Sequence, residues 1–156
     1  MTPAQLGLVK MSFARIASRS GELGTTFYQR LFQLEPRLQE LFHGSVPSQG
    51  FALFTMIDLI VRTLDYQKQV VPIIYELGKR HAAYGVMEGD YATFRTALLD
   101  TLEGALGEVF TPELREAWGS AYDFMAGVME EAHAHVRQGR TLPYRPAPPV
   151  EEEADQ

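Results

Sequence analysis

Apolar residues recur at helical spacing along nearly the whole chain. Leu6, Val9, Phe13 and Ile16 form one stripe, and Leu23, Phe27, Leu31 and Leu34 a second. Leu53, Ile57, Ile60, Val61 and Leu64 form a third; Ile74, Leu77 and His81 share a further face. Phe94, Leu98, Leu102 and Ala105, then Leu114, Trp118, Ala121, Met125 and Val128, complete the set. Only Val70 to Tyr75 reads as strand-like. Pro72 inside it and the helix-forming ELGKRH after it argue for helix instead. Five prolines, Pro3, Pro36, Pro47, Pro72 and Pro112, fall where helices are expected to start, since a first-turn proline forfeits no helical hydrogen bond. Thr2 and Thr111 are placed to cap. The pattern predicts about seven helices, at roughly 3–18, 20–34, 36–42, 47–64, 70–84, 90–107 and 112–137, and an all-α class.

From Gly139 the pattern stops. RQGRTLPYRPAPPVEEEADQ holds four prolines and has little to bury, so 139–156 is expected to be a disordered Pro-rich acidic tail after a domain at 1–138. The 156 residues suit one globular domain, 46% hydrophobic and 22% charged. With no cysteine, disulfides, thiol catalysis, thiolate-ligated haem, iron–sulfur clusters and Cys-based zinc sites are excluded. The net charge of -6 gives no general attraction to nucleic acid or anionic membrane. No segment approaches the ~20 apolar residues of a membrane span, and MTPAQLGLVK does not read as a secretory signal. A cytoplasmic location is the expectation. No Gly-rich stretch matches a nucleotide-binding fingerprint.

Of the four histidines, His133 and His135 read as solvated positions near the end of the last helix, and His43 as an exposed residue at a helix-to-loop transition. His81 continues the apolar face of Ile74 and Leu77. By spacing alone it is either a hydrogen-bonded core residue or a metal ligand. No second His, Asp or Glu accompanies it at i+3 or i+4, which argues against zinc or di-iron. One imidazole suffices where a macrocycle supplies the other ligands, as in haem.

Three segments then carry a resemblance: TTFYQRLFQLEPRLQELF at 25–42, PSQGFALF at 47–54 and ELGKRHAAYGV at 76–86, with FTPELREAW at 110–118 in support. Together, in this order, they resemble a bacterial single-domain globin, similar to the globin domain of flavohaemoglobins and to neuroglobin-like globins. The resemblance implies a globin fold sandwiching a haem b. It implies His81 as the iron ligand and cofactor contacts at Phe42, Leu53, His81, Val86 and Tyr91. Tyr28 and Gln49 are implied to contact the gas ligand.

Flavohaemoglobins also carry a glutamate on the last helix that pairs with the proximal histidine and tyrosine. Fifteen residues after Trp118 stands His133 instead, with Glu130 about one turn earlier. The function expected from the resemblance is reversible binding of dioxygen at ferrous iron, with nitric oxide and carbon monoxide as further ligands. The alternatives are nitric oxide dioxygenation and haem-based redox or gas sensing. No flavin or nicotinamide domain follows, so a reductant is expected from elsewhere, such as an external reductase. Monomer and homodimer are both compatible. An amide is a poor ligand for ferrous haem, so Gln49 is expected to leave the deoxy form largely five-coordinate.

Overall fold

A computed structural model describes residues 1–42 and 44–139. Six α-helices are present among them: α1 (Pro3–Ile16), α2 (Ser20–Leu34), α3 (Val46–Thr63), α4 (Gln67–Ala83), α5 (Asp90–Leu106) and α6 (Pro112–Arg137). Three short 3-10 segments join them, the longest at Pro36–Leu41. The tail expected at 139–156 lies outside the described residues from 140 onward, and so does His43.

The helix starts follow capping chemistry. Thr2 accepts from the Gln5 N–H while the Gln5 side chain accepts from the Thr2 N–H, a reciprocal capping box. Ser45 caps α3 through the Ser48 N–H, and Thr111 caps α6 through the Leu114 N–H. Four of the five early prolines stand in a first turn, as expected. Pro72 does not: α4 starts at Gln67, so Pro72 lies inside it. The helix survives there because Val70, Val71, Ile74 and Tyr75 around the proline are buried, and tertiary burial outweighs the missing amide hydrogen bond. The segment expected as a helix at 36–42 is 3-10 rather than α. Glu35 caps it by accepting from the Arg37 N–H.

Most residues of the predicted stripes are buried in the core, and Phe54, outside them, joins Trp118, Ile74, Leu102 and Val9 as wholly enclosed. The Trp118 indole N–H donates to the Ser12 hydroxyl at 2.9 Å, and that hydroxyl donates to the Val9 carbonyl at 3.0 Å. Thus α1 is fastened to α6 without an unmet buried donor.

Two helix pairs make the most intimate contacts, α2 with α3 and α4 with α6. In both, glycine lets backbone meet backbone. A methyl group at Gly50 would lie 2.5 Å from the Gly24 carbonyl carbon, and one at Gly78 would lie 2.7 Å from the Met129 Cα. α5 packs across α2 and α6. α3 and α4, although consecutive, touch each other only slightly.

Candidate functional site

The site grows from these two glycine crossings. His81 stands in the last turn of α4, one turn beyond Gly78, and is half-buried. Its Nδ1 lies 2.7 Å from the Leu77 carbonyl oxygen. A carbonyl only accepts, so Nδ1 carries the proton and Nε2 keeps its lone pair. Burial pushes the His81 imidazole below its ordinary pKa, more strongly than the Leu77 carbonyl raises it. The ring is therefore neutral, with one nitrogen ready to coordinate.

The turn after α4 is built around the same residue. The Val86 N–H donates to the His81 carbonyl at 3.1 Å and the Gly85 N–H to the Ala82 carbonyl at 3.2 Å. This is a Schellman ending, and its left-handed position falls on Gly85, at φ +97. Val86 is consequently buried, in a small second cluster with Tyr91 and Ala126.

On α2, Tyr28 follows Gly24 by one turn and is half-buried among rings. Phe27 lies 5.1 Å away, Phe32 5.9 Å and Phe42 4.5 Å between centroids, Phe42 edge-on. Phe42 leaves the 3-10 segment with its N–H on the Gln39 carbonyl and also meets Phe32 at 5.1 Å. Burial pushes the Tyr28 hydroxyl up to about 12, so it remains a proton donor at ordinary pH. On α3, Gln49 is exposed in the first turn, directly before Gly50. Leu53, four residues on, is half-buried against the main core.

The structure thus brings Tyr28 to Phe42, and Val86 to Tyr91, while Gln49 sits at the surface end of its helix. An ion pair ties the two sides. Arg37 donates to Asp90 at 2.6 Å, and the other Asp90 oxygen accepts the Met87 N–H at 2.8 Å. Asp90 is buried, so its charge is held by the guanidinium and that amide. The pair links the segment before Phe42 to the corner after His81. Nothing in the sequence marks it, because its members are 53 residues apart.

The sequence reading of the last histidines is corrected. His133 is half-buried, edge-to-face with Tyr91, and its Nδ1 is sealed from solvent. His135 is also half-buried, hydrogen-bonded through Nδ1 to the Tyr75 hydroxyl. Both lie where α6 packs on its neighbours, and a 26-residue helix is covered there as well as at its middle. Glu130, the other candidate partner for Tyr91, is exposed.

No group of three or more His, Cys, Asp or Glu that could hold a bare metal ion occurs among the described residues. A neutral imidazole with a free lone pair and no second protein ligand beside it fits a ligand that brings its own coordination plane. No described helix is long and apolar enough to cross a membrane.

The chain is similar to known proteins over most of its length. The family model described as Globin matches residues 25–129. A Flavohemoprotein of Xylella fastidiosa is 28% identical over 141 residues, 88% of this chain and 35% of that protein. The Anaerobic nitrite reductase HBII of Casuarina glauca is 29% identical over 144 residues, 83% of this chain and 90% of its own. Neuroglobin-1 of Oncorhynchus mykiss is 28% identical over 155 residues, covering 90% and 98%. The chain spans about a third of the length of the flavohemoproteins it matches.

Proposed function

This chain belongs to the globin family, and we propose that it would hold a haem b through His81 and bind dioxygen reversibly at the haem iron. The observation that carries this is the His81 imidazole, neutral, half-buried and hydrogen-bonded at Nδ1 so that Nε2 is left to coordinate. Phe42, Leu53, Val86 and Tyr91 line the cofactor in this reading. Haem bound there supplies an iron that coordinates a diatomic gas reversibly.

The chain's own residues set how long the gas stays. The Tyr28 hydroxyl, kept protonated by burial, donates a hydrogen bond to it; the Gln49 amide donates a second. Tyr28 is held by three rings. Gln49 is exposed in a first turn, where water competes for its amide. Tyr28 is therefore the dominant donor. Hydrogen bonds to charged acceptors contribute about 1.5–3 kcal/mol. On that scale Tyr28→Phe raises the oxygen off-rate about tenfold or more, and Gln49→Leu raises it less. Stopped-flow displacement of oxygen by carbon monoxide measures both. A larger effect at Gln49 would overturn the assignment of Tyr28.

The likeness to flavohemoproteins over 88% of the chain supports a second reading, dioxygenation of nitric oxide to nitrate with electrons from an external reductase. The same two donors hold the oxygen in both. Sustained nitrate formation with a supplied reductase selects the second reading, and simple reversible oxygenation without turnover selects the first.

A further inference from the structure

The proposed cofactor contacts fall on two sides of the fold. Phe42 and Leu53 belong to the stretch from the 3-10 segment into α3, while His81, Val86 and Tyr91 belong to the corner between α4 and α5. Helix packing does little to hold these sides together, since α3 and α4 touch only slightly. The spacing between them is therefore set where the 3-10 segment meets the corner.

Two contacts are made there. At the end of the segment Leu41 lies against Gly85, where a methyl group would meet the Leu41 Cδ2 at 3.2 Å. Leu41 also packs on the small cluster of Val86, Tyr91 and Ala126. At the start of the segment Arg37 donates to Asp90 at 2.6 Å. Asp90 is itself built into the corner. Its N–H donates to the Met87 carbonyl at 3.0 Å, while its other carboxylate oxygen accepts the Met87 N–H at 2.8 Å. The guanidinium thus reaches a carboxylate that the corner's own backbone holds in place. Among the described ion pairs this carboxylate is the most enclosed, its side chain 8% exposed against 30% or more for the others. Enclosure decides the weight of the pair. An exposed ion pair contributes about fivefold at most to an equilibrium, whereas losing one partner of a buried pair costs about a hundredfold or more. With Arg37 partly exposed, this pair falls between those limits.

We propose that the Arg37–Asp90 pair is a clasp that governs haem retention: it holds the segment carrying Phe42 against the corner that follows His81, so that breaking it speeds haem loss. This rests on the reading that His81 carries a haem. Arg37 and Asp90 are positioning residues here, and neither is required to touch the haem. Leu41 supplies the apolar half of the same bridge, so loss of the pair loosens the corner without unfolding it.

The test follows haem transfer from the hemin-loaded full chain to an excess of acceptor globin. Arg37→Met keeps the stem and removes the charge. Asp90→Asn keeps an oxygen for the Met87 N–H and removes the charge. Each is expected to speed haem loss about tenfold, and the double variant by no more than either alone. The contact is a single bond from one guanidinium nitrogen, so Arg37→Lys is expected to return the rate to within about threefold of the wild type. Arg30→Met is the control. It breaks another ion pair between elements, Arg30 of α2 with Asp100 of α5 at 2.9 Å, and is expected to leave the rate within about twofold of the wild type. An Arg37→Met rate within about twofold of the wild type would overturn the clasp, and so would single effects that multiply in the double variant. Arg30→Met releasing haem as fast as Arg37→Met would overturn it too, because haem loss would then follow general stability. A wild-type protein that takes up no haem would overturn the haem reading and the retention role with it. The link between the two sides is then decided by hydrogen exchange at the Met87 amide. Exchange about fivefold faster or more in Arg37→Met supports it, and unchanged exchange overturns it.

Discussion

Replacing His81 by alanine is expected to abolish stable haem retention while the helical fold stands. The side chain provides a neutral, partly enclosed imidazole whose free nitrogen is set up by a hydrogen bond on the other, here to the Leu77 carbonyl at 2.7 Å. Losing an outer-shell partner of a ligand costs about 10- to 100-fold in affinity. Losing the ligand itself is expected to exceed about 100-fold. The fold tolerates the change because the turn after α4 is closed by backbone groups, the Val86 N–H on the residue 81 carbonyl, and not by the imidazole. The truncation leaves a ring-shaped void, so free imidazole is expected to restore binding. Haem transfer to an acceptor globin, with and without imidazole, measures both effects. Retention equal to the wild type without imidazole would remove His81 from the account.

The largest expected loss of stability comes from a single methyl group at the α2–α3 crossing. Gly50→Ala places a Cβ 2.5 Å from the Gly24 carbonyl carbon, against backbone that has no rotamer to yield. Overpacking in a core costs about 1–3 kcal/mol where side chains can shift. A clash with backbone belongs at the top of that range, at about 3 kcal/mol, and Gly24→Ala should match it. Gly127 supplies the control, being exposed in α6 with open space where a Cβ would go. Gly127→Ala is expected to stabilise by about 0.5–1 kcal/mol through helix propensity alone. Urea midpoints for the three variants order them. A Gly50→Ala protein within about 0.5 kcal/mol of the wild type would mean that α2 and α3 do not meet there. Since Gly50 adjoins Gln49 and Gly24 precedes Tyr28 by one turn, the crossing also sets how the two proposed gas-contacting residues stand relative to each other.

The same residues explain what the sequence could and could not disclose. Phe13, Leu31, Ile57, Ile74, Leu98 and Trp118 were readable as core because burial repeats with the helical period, and each is buried. Leu34 ends its stripe and is 37% exposed, because the period says nothing about where the neighbouring helix stops. Pro72 misplaced a helix start, since a proline marks a local preference that the burial of Val70, Val71, Ile74 and Tyr75 overrides. His81 stood out as a lone imidazole on an apolar face, but its protonated nitrogen and free nitrogen are known only from the Leu77 contact. Gly24, Gly50 and Gly78 carry no apolar signal, and their importance exists only in how helices cross. The edge-to-face contact of Tyr91 with His133 and the ion pair of Arg37 with Asp90 are likewise products of tertiary structure, joining positions far apart in the chain. Resemblance reached the position of His133 by counting, yet only the fold shows that its ring faces Tyr91.

A haem held by one protein nitrogen, with a coordination position left for gas, has a distinctive ferrous spectrum. The electronic absorption spectrum of the hemin-loaded protein, reduced without oxygen, tests it most directly. The expected result is a Soret band and the single broad visible band of five-coordinate, high-spin ferrous haem. Sharp low-spin bands would mean that a second side chain closes the gas face, and the absence of any Soret band would mean that His81 holds no haem at all.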